Sequence, residues 1–162
     1  METIAVYWER RIKTYGLQRV VDLAFIEFSY PLRKIKSLGE MLSRDDLQTL
    51  RPKFIIAQES DHEVSFIFCL PAKEGRDLHV ALERTPGSSH HRYIHPVGII
   101  FFHGPHFGDR YGIADATFST LSKADIEIIA SGCSSSSVFL VLLQDDIAKA
   151  EKVLAQTFDV AK

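Results

Sequence analysis

Two stretches carry residues that could meet a small polar ligand. Residues 104–112 read GPHFGDRYG, and residues 131–137 read SGCSSSS. A glycine-rich loop that opens a helix leaves backbone N–H groups unpaired, and the helix dipole there favours a carboxylate. Serine hydroxyls bond neighbouring backbone groups in a turn, or they meet a ligand's polar atoms. A third group is His90, His91, His95, His103 and His106. Imidazole is a common zinc ligand, but neither a helical i, i+4 pair nor a cysteine pair organises these five. Exposed connector histidines are the simpler reading. Cys133, Ser134 and His106 offer a thiol, a hydroxyl and a base, yet no nucleophile elbow surrounds them. No phosphate-binding G-x-x-x-x-G-K-[ST] run is present.

The chain-wide numbers narrow the classes. The 162 residues fit one ordinary domain or two very small ones, and 46% hydrophobic with 25% charged residues is globular composition. A formal net charge of -2 carries no basic surplus for nucleic acid and no acidic tail. Cys69 and Cys133 lie in or beside apolar runs and read as reduced, mostly buried thiols. Charge appears by residue 9, too early for a signal-peptide core. No apolar run approaches the roughly 20 residues that span a bilayer. A soluble cytoplasmic protein is expected.

The elements that must position these residues repeat in order. Residues 19–28 read as a strand and 32–42 as a helix with Leu32, Ile35, Leu38 and Leu42 on one face. Strands follow at 53–60 and 63–71, then a helix at 74–84 with Leu78, Ala81 and Leu82 inward. After a connector at 85–96 come a strand at 97–103, the glycine-rich loop, and a helix at 113–123 facing inward through Ala114, Phe118 and Leu121. Strands at 126–131 and 138–143 flank the serine turn. Asp145 or Asp146 caps a last helix that buries Ile147, Ala150, Leu154 and Phe158. The order is β-α-β-β-α twice, each the start of a ferredoxin-like motif. The second unit lacks a fourth strand, while residues 3–8 form a strand belonging to neither unit. That strand is expected to complete the second sheet and interleave the halves. Trp8, Tyr7, Arg10 and Arg11 beside it suggest an interface patch.

The second half resembles an ACT domain, in particular the regulatory ACT pair of aspartokinases. The carrying residues are Gly112-Ile113-Ala114, Phe118, Leu121, Ala124-Asp125-Ile126-Glu127-Ile128-Ile129, Ser134, Ser137, Val138, Ala150, Leu154 and Phe158. In the first half, Ile55-Ile56-Ala57-Gln58-Glu59 and Val64-Ser65-Phe66 to Leu70-Pro71 are similar to strands of the partner unit. The resemblance implies an α+β fold of two interleaved ferredoxin-like βαββαβ units, with antiparallel sheets and helices on one face. Residues 9–90 would be a degenerate first unit. Residues 1–8 plus 91–162 would be the second.

It further implies a non-catalytic regulatory module without a cofactor, binding an amino-acid effector. Gly112, Ile113 and Ala114 would meet the α-carboxylate, and Asp109 or Glu127 the ammonium. Ile129 and Ser131 would form the wall, Ser134 and Ser135 the rim, and Arg110 would adjoin them. A homodimer through side-by-side sheets, or an amino-acid biosynthetic enzyme as partner, would be regulated. The chain departs from the family in having no kinase domain. It has Ser29-Tyr30-Pro31-Leu32 and Arg110-Tyr111-Gly112 at the two ligand turns, and serine at position 135 in place of a glutamate. Those departures keep open an interaction protein that has lost its ligand. The histidines keep open a metal-binding ferredoxin-like domain.

Overall fold

The computed structural model describes residues 11–44, 47–105, 107–108 and 111–160. The strand expected at residues 3–8, with Tyr7, Trp8 and Arg10, lies outside them. The chain divides into two compact units. One is Val20–Gly98, and the other joins residues 11–19 to residues 99–160. Both boundaries fall inside long strands, at 19/20 and 98/99, whereas the sequence reading put them at 8/9 and 90/91. The described residues begin with β1 (Lys13–Thr14) and β2 (Leu17–Pro31), and most of β2 belongs to the first unit.

That unit continues through a 3-10 turn (Leu32–Lys34), α1 (Ile35–Leu42), β3 (Phe54–Ser60), β4 (Glu63–Pro71), α2 (Ala72–Glu83) and the start of β5 (Ser89–His103). Its strands lie in the order β3-β4-β2-β5, as a βαββαβ motif requires. β2 and β4 pair antiparallel from Leu23↔Pro71 to Pro31↔Glu63, and β3 and β4 from Phe54↔Cys69 to Ser60↔Glu63. Alternation in β2 sends Ile26, Phe28 and Tyr30 into one core with Leu78, Ala81 and Leu82 of α2. Gly75 lets α2 approach the sheet, since a Cβ there would stand 2.5 Å from the Ala24 Cβ.

The other unit takes the rest of β5, then α3 (Ile113–Lys123), β6 (Ala130–Cys133), β7 (Ser137–Leu143), a 3-10 turn (Gln144–Asp146), α4 (Ile147–Thr157) and β8 (Asp159–Val160). Its core gathers Ile100 and Phe102 of β5, Leu121, Leu140, Leu142, Leu154 and Phe158. Ile12 and Leu17, from the other end of the sequence, pack against it. β1 runs parallel to β8, and the Tyr15 N–H donates to the His103 carbonyl at 2.9 Å. The Arg11 guanidinium donates to the Ala155, Gln156 and Phe158 carbonyls at the end of α4. The halves are thus interleaved, by residues 11–19.

Several expectations need correction. The connector at 85–96 is mostly strand, because β5 begins at Ser89. Its histidines and Pro96 disguise a strand that tertiary pairing imposes. β6 occupies 130–133 rather than 126–131. The Ile126 N–H turns back to the Leu121 carbonyl at 3.0 Å and Asp125 has φ 53°, which delays the strand. α3 buries Ile113, Thr117 and Leu121, so Ala114 and Phe118, about 100° round the helix from Ile113 and Thr117, face outward, and only Leu121 of the expected stripe is buried. In the first unit Leu32 and Ile35 are partly exposed, and α1 buries Leu38 and Met41. Asp146 occupies the N-cap position of α4 without a side-chain cap bond. Cys69 is buried as expected, but Cys133 is exposed.

Candidate functional site

At the start of α3 the chain turns on Gly112, whose φ of 88° is left-handed and suits a residue without Cβ. The loop before it is held from two sides. Gly104 leaves room where a Cβ would stand 2.4 Å from the Lys13 carbonyl oxygen, and Phe107 packs edge-on against Phe102 with ring centroids 6.0 Å apart. A Cβ on Gly108 would lie 3.1 Å from the Ser135 carbonyl oxygen, which brings the loop close to the serine turn.

Between loop and turn lies a cleft of about 250 Å³. Gly112, Ile113 and Ala114 form one side and Cys133, Ser134 and Val138 the other, with Phe107 and Tyr111 completing it. Four of the expected residues, Gly112, Ile113, Ala114 and Ser134, therefore converge. Cys133, Phe107 and Tyr111 were not expected there. Tyr111 is 98% exposed, an aromatic beside a helix-opening glycine whose significance its sequence neighbours alone do not signal. Asp109 and Arg110 lie outside the described residues.

The serines have a structural task. Ser134 Oγ accepts from the Ser137 N–H at 3.1 Å and the Ser136 N–H at 3.4 Å, and the Ser134 N–H donates to the Ser137 carbonyl at 2.9 Å. The hydroxyl closes its own turn, as small polar side chains do. Ser135 is exposed at the tip.

The remaining expected residues separate from this cleft. The Ile129 N–H donates to the Val141 carbonyl at 2.9 Å, and Ser131 pairs with Leu140 in the sheet. Glu127 lines a second, larger cleft of about 580 Å³ with Phe118, Asp125, Ile128, Leu143 and Asp146. That cleft lies at the C-terminal end of α3, whereas Gly112 opens its N-terminal end. Eleven helical residues span about 16 Å, so within this chain Glu127 stands apart from the Gly112 turn.

The first unit contains the matching arrangement. Pro31, Leu32 and Arg33 face the Asp61-His62 turn across about 570 Å³. Here the Leu32 N–H donates to the His62 carbonyl at 2.8 Å, so a donor at the helix start is already spent. Among the described residues no backbone bond ties the start of α3 to the serine turn. The histidines disperse: His95 lies 3.7 Å from Asp22, and His103 lies against Tyr15 with ring centroids 5.3 Å apart. Among the described residues no three metal-ligating side chains come together.

No family model and no curated protein matches this sequence. Solved structures do. The ligand-free regulatory subunit of aspartate kinase from Thermus thermophilus is similar at a TM-score of 0.72 and 14% identity, over 90% of this chain and 98% of that one. The regulatory subunit from Thermus flavus gives 0.75 and 11%, again over 90% and 98%. Aspartate kinase from Synechocystis gives 0.77 and 19%, over 94% of this chain and 28% of its own. The chain has the fold of the tandem regulatory ACT domains of aspartokinase. Among the described residues no helix is long and apolar enough to cross a membrane.

Proposed function

We propose that this chain is a regulatory ACT module, not an enzyme, which binds an amino acid and thereby shifts its own dimer or a partner enzyme between states. The observation that carries this reading is the convergence of the Gly112-Ile113-Ala114 helix start and the serine turn on one cleft. Unspent N–H groups at a helix start suit a carboxylate. Asp109 and Arg110, next in the chain, are the charged groups assigned to the remaining polar atoms of the ligand. The fold shared with aspartokinase regulatory subunits supports the reading. A ligand changes the equilibrium by its differential affinity for the two states and by no more.

The test is thermal unfolding with each of the twenty amino acids at millimolar concentration. A ligand at 100 times its Kd stabilises by about 2.7 kcal/mol, a shift of several degrees. Ala114→Asp should remove the shift. Ala114 is exposed in the first turn of α3, where an acidic residue suits the helix dipole but repels a bound carboxylate. The second reading is an interaction protein of the same fold without a ligand. The spent Leu32 N–H and the self-bonded Ser134 favour it. No shift with any amino acid, in a folded protein, would select it.

A further inference from the structure

The larger cleft, at the far end of α3, calls for a different occupant. Its floor is apolar: Ile126 is buried, Ile128 half-buried, and Phe118 and Leu143 are 37% and 41% exposed. Its rim carries Asp125, Glu127 and Asp146. Among the described residues none of these carboxylates has an ion-pair partner. Lys123, Asp145 and Lys149 adjoin in sequence, which leaves four carboxylates against two ammoniums. The carbonyls at the end of α3 add negative potential on the same side. A volume of about 580 Å³ falls within the ~300–1,000 Å³ of ligand-binding clefts. Two large apolar side chains left open to solvent, ringed by one sign of charge, form the pattern of a recognition surface.

We infer that this cleft docks a short basic segment of a partner protein. Lysine or arginine side chains of that segment meet Asp125, Glu127 and Asp146, and an apolar side chain seats on Phe118 and Leu143. The sign of the rim selects the occupant. A second copy docked through the same face would set these carboxylates against their own counterparts, since a two-fold interface matches a patch with itself. A purely apolar partner would leave the charges desolvated and unpaired. The inference goes beyond amino-acid binding, because the two clefts lie at opposite ends of α3.

The probe is a fluorescein-labelled peptide, Lys-Leu-Arg-Phe-Lys, titrated with the whole chain and followed by anisotropy. The comparison peptide is Glu-Leu-Glu-Phe-Glu. The basic peptide should bind and the acidic one should not, and added salt should weaken binding. Glu127→Gln and Asp125→Asn should each weaken it about two- to fivefold, as exposed charge pairs permit. Asn tolerates the left-handed backbone at position 125. Phe118→Ala should weaken it about tenfold. Tyr111→Ala, which alters the other cleft without adding charge, should leave it unchanged. The charge variants keep the apolar floor, so they remain informative if Phe118→Ala unfolds. Absence of binding overturns the inference, as do equal binding of both peptides and equal binding by the folded variants. Displacement by free arginine at the peptide's own concentration would make this a small-cation site instead. A dimer in sedimentation that Phe118→Ala dissociates would make it a self-contact.

Discussion

At the scale of single residues, the two cysteines make the sharpest contrast. Burial pushes the Cys69 thiol up from 9.0 to about 12, while Cys133 is exposed at the edge of the smaller cleft. The thiolate is the reactive form, so a disulfide reagent at neutral pH should modify Cys133 quickly and Cys69 only on unfolding. Mass spectrometry after timed labelling would show one adduct, then two. The same shift makes stability depend on pH. Between 9.0 and about 12 the unfolded chain has lost a proton that the folded chain keeps. Stability therefore falls as pH rises through that window, and Cys69→Ala should flatten the fall in a urea series. Gly75 supplies a second residue-level test. Gly75→Ala gains about 1 kcal/mol of helix propensity, but its new methyl would stand 2.5 Å from the Ala24 Cβ. Overpacking costs about 1–3 kcal/mol, so the denaturation midpoint should drop.

At the scale of elements, the loop-to-helix start and the serine turn were legible in the sequence because glycine and serine betray local backbone needs. What the sequence concealed was their division of labour. Ser134 reads as a ligand contact or a turn closer with equal ease, and only the bonds to Ser136 and Ser137 show the latter. Ser134→Ala should cost about 1 kcal/mol, the net worth of one such bond, whether or not a ligand is present. The burial face of α3 was misread for another reason. Ala114, Phe118 and Leu121 form a plausible stripe, but so do Ile113, Thr117 and Leu121, and a threonine in the stripe hides the second. Thr117 is tolerated there because its hydroxyl donates to the Ile113 carbonyl at 2.7 Å. The start of strand β5 is hard to read in the sequence because His90, His91, His95 and Pro96 obscure the strand signal of Tyr93 and Ile94. Glu127, expected by family likeness beside the ammonium, lines the larger cleft in this chain rather than the one at Gly112.

At the scale of the whole molecule, the βαββαβ order was readable twice, and so was the missing strand, because counting elements does not depend on their exact ends. Residues 11–19 join the second unit; the strand expected at 3–8 lies outside the described residues. A chain beginning at Val20 should therefore keep a folded Val20–Gly98 unit and lose protection in α3 and α4, as amide exchange would report. A peptide of residues 11–19 added in trans should restore part of it. Arg11→Ala should loosen only the end of α4, where its guanidinium meets the Ala155 and Gln156 carbonyls. The contact from Arg11 to Ala155 closes a loop of 144 residues. On a ribosome that loop is an interval of time. At about 5–20 residues per second, roughly 7–29 s pass between synthesis of residues 11–19 and arrival of the last of their partners. During that interval Val20–Gly98 can already fold, while the strand preceding it has no sheet to join. An unpaired strand is a template for another chain. The interleaving therefore exposes the nascent protein to cross-pairing between neighbouring chains on one messenger, a hazard that the finished fold gives no sign of having passed.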